Sequence, residues 1–246
     1  MAPGDGAAAP RIEIIAPLAI DRSSMRGTVR RSIGRRRMND TVTPSQARAL
    51  PLVLASASVI RRELLDAAGL SHVAEAADVD EGEVKRRLRS QGAPVDAVAE
   101  ALATLKAQHV ARRHAAALVI GADQILDADG QWFDKPADVA AARRQLRTLR
   151  GRSHELVSAV SVVRDGAPVW WHVARARLTM RDFSDTFLDA YLQEAGPKAL
   201  ESVGAYQLEG LGVQLFDHIE GDYFVILGLP LLPLLDFLRR QGAIAA

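Results

Sequence analysis

The chain has 246 residues, 48% of them apolar, and a formal net charge of +1, so it can bury a substantial core in one large domain or two small lobes, and no global field argues for nucleic acid. It has no cysteine, which excludes disulfides, thiolate zinc sites and a cysteine nucleophile, and aromatics make up only 5%, too few for a base-stacking platform.

Residues 1–49 differ from the rest. They begin Gly/Ala/Pro-rich and then carry "MRGTVRRSIGRRR", with six arginines and no acid. Such a composition does not bury a core and reads as a disordered extension. Translation begun upstream of a true start at Met25 or Met38 gives the same pattern. A transit peptide and a nucleic-acid arm are the alternatives. The patch "IEIIAPLAI" is too short, and too broken by Pro17, to span a bilayer. It follows no basic segment of the kind that opens a secretory signal.

The folded part opens at "PLVLA", a buried strand. "IRRELLDAAGL" follows with helical spacing, Leu64 and Leu65 facing the core and Gly69 as a stop. Ser56, Ser58, Arg61 and Arg62 lie at this strand-to-helix turn. A helix N-terminus offers free amides and the positive dipole end, so the turn reads as a phosphate cradle or as a serine cap with solvated arginines. "DVDEGEVKRRLRSQG" is an acidic turn and a charged helix. Its Asp80, Glu81 and Glu83 suit a hard cation or simply a helix start.

The longer helix "VDAVAEALATLKAQHVARRHA" carries Lys106 among alanines and leucines, either snorkelling or aimed into a cleft. "ALVIGAD" is a second buried strand, running into Asp123. At a strand's C-terminal edge such a carboxylate can bind Mg²⁺, activate water, or close a turn. "ADGQWFDKP" is a turn and loop presenting Lys135, and "DVAAARRQLRTLRG" is a helix closed by glycine.

"HELVSAVSVVRDGAPVWWHVARARLTMRDF" is a valine-rich hairpin turning at Asp165-Gly166. "SDTFLDAYLQEAG" is a helix capped by Ser184 or Asp185. "ESVGAYQLEGLG", with Tyr206, Gln207 and Glu209, is a glycine-punctuated ligand loop or a bulged strand. "GVQLFDHIEGDYFVILG" reads as a second hairpin turning near Glu220-Gly221-Asp222, before a helix entered through proline. The mixture of βα units and hairpins predicts an α/β fold around a mixed sheet with flanking helices. His154 has no second histidine at ligand spacing and reads as structural. Walker A, HExxH and GxSxG patterns are absent.

Taken in order, "LASASVIRRELL", "VDE", "LATLKA", "VIGADQ", "DKP", "LRGRSHEL", "GAYQLEG" and "IEGDYFVILGLPL" resemble the Maf family of nucleoside triphosphate pyrophosphatases. The resemblance covers about Pro51 to Gly242, within a domain of residues 50–246. It implies an elongated, two-lobed α/β architecture with a central cleft. It implies cleavage of a nucleotide between the α and β phosphates, to a monophosphate and pyrophosphate, with Mg²⁺, Mn²⁺ or Co²⁺. It also implies a cytoplasmic homodimer that clears modified or noncanonical nucleotides, with no membrane or nucleic-acid partner. An association with septum formation gives the alternative, a cell-division regulator acting by contact with catalysis incidental.

By the resemblance, Ser56 and Arg61 match the phosphate-binding serine and second arginine of the family's "SxSPRR". Lys106 and Lys135 match its two lysines, Asp123 its general base, and Glu81 an acid near the metal beside Asp123. Three positions set base preference in the family: Ile60, Gln124 and Glu209. The branch preferring dTTP and UTP has arginine, threonine and glutamine there. The 7-methyl-GTP branch has tryptophan, glutamine and glutamate. This chain matches the second branch at Gln124 and Glu209, and neither at Ile60, which points to a purine-type or modified nucleotide. "FDKP" replaces the usual "GKP" and sets Asp134 beside Lys135.

Overall fold

The computed structural model describes residues 50–245. The expected disordered extension, residues 1–49, lies outside them.

Helices and strands alternate early in the chain and separate later. The order is β1 (Leu52–Ala55), α1 (Val59–Ala67), β2 (Val73–Ala74), α2 (Glu81–Ser90), α3 (Val95–Ala111), β3 (Leu118–Ala128) and β4 (Gln131–Phe133). Then come α4 (Val139–Leu149), β5 (Ser153–Arg164), β6 (Ala167–Met180), α5 (Asp185–Ala195), β7 (Phe216–Glu220), α6 (Tyr223–Ile226) and α7 (Leu231–Arg240). Three short 3₁₀ turns fill the stretch between α5 and β7.

The strands form one mixed sheet in the order β2-β1-β3-β5-β6-β7, with β4 on the free part of β3. β1 lies parallel to β2 and β3, and every other pairing is antiparallel. The valine-rich hairpin turns where Asp165 and Gly166 adopt positive φ, as their Asp-Gly sequence predicts.

Four helix starts are capped by side-chain oxygens. Ser58, Asp80, Asp138 and Ser184 each accept a backbone N–H from the first turn of α1, α2, α4 and α5. Ser184, not Asp185, therefore caps α5. The apolar stripe of α3 (Val98, Leu102, Val110 and the intervening alanines) packs on one sheet face against Val53, Val119, Ile125 and Val157. On the other face Leu64 and Leu65 of α1 meet Leu52, Leu54, Ile120 and the α7 residues Leu234 and Phe237. Further along that face, Leu146 and Leu149 of α4 and Leu188 of α5 cover Leu126, Leu156 and Leu178.

Three expectations need correction. The turn and loop expected at "ADGQWFDKP" contain the short strand β4, which pairs with the end of β3. The second hairpin does not form. Its first half is β7, paired to β6, but "YFVI" is the single helical turn α6. A short apolar run does not distinguish strand from buried helix. Here Asp222 decides, because its carboxylate accepts the N–H groups of Phe224 and Val225 and starts a helix. The strand expected to stop at Asp123 instead continues to Ala128. The two-residue β2 carries no sequence signal that finds it.

Candidate active site

The site is a gap in the sheet. β1 pairs with β3 only as far as Ala55 opposite Gly121, and β4 takes up the same edge only from Leu126 opposite Phe133. Between those points Ala122 to Ile125 have a free edge. β1 runs into this gap from one end, delivering Ser56. The antiparallel β4 runs into it from the other, delivering Asp134 and Lys135. A pocket of about 460 Å³ opens there.

Strand alternation sends Asp123 and Gln124 to opposite faces. Asp123 points to α3, where Lys106 occupies the buried stripe between Leu102 and Val110. Lys106 Nζ lies 2.6 Å from Asp123 Oδ1 and 2.8 Å from Glu81 Oε1, so one ammonium holds both acids. Asp123 is 3% exposed and its Oδ2 has no hydrogen-bond partner among the described residues. Burial raises the Asp123 carboxyl above its ordinary pKa, against the opposing pull of Lys106. The approach of α3 to β3 needs Gly121: a Cβ there would stand 2.0 Å from Ala103 O and 2.8 Å from Ala107 N.

The strand-to-helix turn divides its labour. Ser58 caps α1, its Oγ accepting from Arg61 N at 3.5 Å. Ser56 Oγ accepts from Ser58 N and from Arg61 Nη1. The Arg61 guanidinium also donates from Nε to Gly228 O at 2.8 Å and from Nη1 to Ala122 O at 2.9 Å. Its plane is thereby fixed, and Nη2 has no hydrogen-bond partner among the described residues. Arg62 is exposed and outside the pocket.

Gln124 is anchored as firmly. Its Nε2 donates to Ser158 Oγ and to the carbonyls of Val225 and Ile226 at 3.0–3.1 Å. Carbonyls accept only, so the amide orientation is determined and Oε1 is left as the outward acceptor. Lys135 and Glu209 sit at the exposed rim, and Ile60 packs partly into the α1 core while lining the pocket. Desolvation, followed by the Arg61 charge, lowers the Lys135 pKa. The extra acid of "FDKP" turns to Lys85, 2.6 Å away, and not to Lys135.

All the expected site residues thus line one pocket: Ser56, Ile60, Arg61, Glu81, Lys106, Asp123, Gln124, Lys135 and Glu209. Asp80, Glu83 and His154 do not. His154 is buried, bonded through Nε2 to the Tyr206 hydroxyl at 2.7 Å, and burial lowers its pKa to about 4. Sequence reasoning missed Lys85, which lines the pocket one helical turn after Glu81, and the α6 and Gly228 carbonyls that hold Gln124 and Arg61.

Among the described residues no group of three or more acids, histidines or cysteines is placed to hold a cation alone. Two carboxylates with an unpartnered buried oxygen do fit a hard cation that takes its remaining ligands from phosphate and water.

Fold and site together define an α/β protein with a cation-lined cleft built around one buried acid. The chain belongs to the Maf family: the family described as Maf-like protein matches residues 51–241. A nucleoside triphosphate pyrophosphatase of Paramagnetospirillum magneticum is 56% identical over 77% of this chain and 98% of its own length. A 7-methyl-GTP pyrophosphatase of Rhizobium meliloti is 53% identical over 79% of this chain and 98% of its own. The crystal structure of a nucleoside-triphosphatase / dITP/XTP pyrophosphatase from Mycobacterium abscessus covers 78% of this chain and 95% of its own, at 16% identity and a TM-score of 0.37. That likeness is too slight to carry an argument. No helix among the described residues is long and apolar enough to cross a membrane.

Proposed function

We propose that the chain is a nucleoside triphosphate pyrophosphatase that cleaves between the α and β phosphates. The observation that carries this reading is the buried Asp123, with one oxygen held by Lys106 and the other unpartnered among the described residues, in a gap ringed by cations. Asp123 Oδ2 orients a water and takes its proton as the water attacks the α-phosphorus in line. Ser56 and Arg61 bind the polyphosphate. Arg61, Lys106 and Lys135 neutralise the charge that gathers on departing pyrophosphate. Glu81 and Asp123 would hold a divalent cation, which when bound neutralises phosphate charge and polarises phosphoryl oxygens.

The substrate is a purine-type or modified nucleotide. Gln124 offers Oε1 and Glu209 its carboxylate, two acceptors suited to a base edge that presents N–H donors. Relatives that bear the name 7-methyl-GTP pyrophosphatase support the same direction. Ile60 supplies an apolar wall in place of a stacking ring. The charged set is complete, which argues against a contact-only role in septum formation. The reading carries the expectation of a cytoplasmic homodimer, checked by sedimentation and by fractionation.

The test is a turnover screen over canonical and modified triphosphates with Mg²⁺, Mn²⁺ or Co²⁺. Pyrophosphate must be a product, and EDTA must abolish its release. Orthophosphate as the sole inorganic product rejects the reading.

A further inference from the structure

Lys85 and Glu81 are four residues apart on α2 and so share a helix face. That face looks into the pocket lined by Arg61, Lys106, Asp123 and Lys135. The Lys85 side chain is only 16% exposed, whereas Asp134, its ion-pair partner at 2.6 Å, is 77% exposed. Asp134 is the one hydrogen-bonded partner of Lys85 Nζ among the described residues. The pair is lopsided. A largely desolvated ammonium leans on a carboxylate that water already hydrates, and such exposed carboxylates hold their partners weakly. Burial works to lower the Lys85 pKa, but Asp134, Asp123 and Glu81 outweigh it, so the group stays an ammonium.

The other cations differ. Arg61 is tied to the carbonyls of Ala122 and Gly228, and Lys106 is clamped between Asp123 and Glu81. Lys85 is the pocket cation whose partner is readily exchanged. A polyphosphate brings several charged oxygens where Asp134 brings one carboxylate, and an ammonium on a flexible stem can follow the stronger acceptor.

We propose that Lys85 is a further phosphate-binding residue, held beside the site by Asp134 and handed to the polyphosphate of a bound nucleotide. The proposal rests on the pyrophosphatase reading for its substrate. Asp134 then competes with substrate for Lys85 and tunes affinity.

Steady-state kinetics on the best triphosphate of the screen, with calorimetric binding of inorganic triphosphate, test it. Lys85→Met should raise KM and weaken triphosphate binding about tenfold, the worth of one charge-assisted hydrogen bond. Lys85→Arg should restore most of that loss. Asp134→Asn should lower KM severalfold, and this gain should vanish in the Lys85→Met/Asp134→Asn double variant. If Asp134→Asn lowers KM equally with or without Lys85, the acid acts by general repulsion and the exchange is overturned. If Lys85→Met and Asp134→Asn both lower thermal stability and leave KM and binding unchanged, the pair is a structural latch and the proposal falls. A wild-type protein that releases no pyrophosphate yet binds triphosphate through Lys85 overturns the pyrophosphatase reading and upholds this one.

Discussion

Lys106 Nζ stands 2.6 Å from Asp123 Oδ1 and leaves Asp123 Oδ2, buried in the same pocket, without a partner among the described residues. One oxygen is neutralised and fixed while the other is presented. Asp123→Asn keeps the shape and removes the base. The expected result is a fall in kcat of about 10²- to 10⁴-fold with the circular dichroism spectrum unchanged. Pyrophosphate release at saturating substrate is the measurement.

The same burial sets the titration of the metal-free protein. Desolvation raises the Asp123 carboxyl above the usual range for an aspartate of about 4. An NMR titration of the metal-free protein should therefore place it above that value. Lys106 opposes the shift, so Lys106→Met should move the titration higher still. A wild-type carboxyl that titrates below about 4 without metal would contradict the burial argument.

Arg61 is held by a fork of bonds to Gly228 O, Ala122 O and Ser56 Oγ. Lysine offers a single ammonium and cannot make this set at once. Arg61→Lys should lower kcat/KM about 10- to 100-fold although the charge is kept. The loss should appear with inorganic triphosphate binding too, which separates phosphate contact from base recognition.

Gly121→Ala would drive a methyl into Ala103 O and Ala107 N, backbone atoms that cannot swing aside. α3 must move off β3, carrying Lys106 with it. Chemical denaturation should show a loss of at least about 2 kcal/mol, and kcat should fall although no site side chain has changed.

His154 gives a pH signature of stability, not of activity. Its folded pKa is about 4, below the ordinary 6.5, so between those values the unfolded chain binds a proton that the folded chain refuses. The stabilisation is complete above about pH 6.5 and is lost as pH falls to about 4, by about 3 kcal/mol in all. His154→Phe should remove that part of the acid-induced loss. Urea unfolding of wild type and variant across this window measures the difference.

The residues that fix element type are local, and they could be read directly. Ser58, Asp80, Asp138 and Ser184 cap helices because a short side-chain oxygen reaches the next turn's amide. The same local logic misled at "YFVIL", where the apolar run fits a strand and only the Asp222 carboxylate makes it a helical turn. Lys85 was legible in principle: four residues after Glu81, it had to share its face. Its use of Asp134 was not, because that partner is 49 residues away.

The sequence by itself determined strands β1, β3, β5 and β6, helices α1 to α5 and α7, the charged groups the site contains, and the family to which their order belongs, since caps, periodicity and motif spacing act over a few residues. Tertiary structure alone decided that β1 and β4 stop short of each other along β3, opening the gap in which Asp123 is desolvated. It alone placed Lys106 between two acids and turned the carbonyls of Val225, Ile226 and Gly228 towards Gln124 and Arg61. Burial and charge pairing depend on which atoms exclude water and which partner arrives from elsewhere in the chain, and no local pattern carries that information.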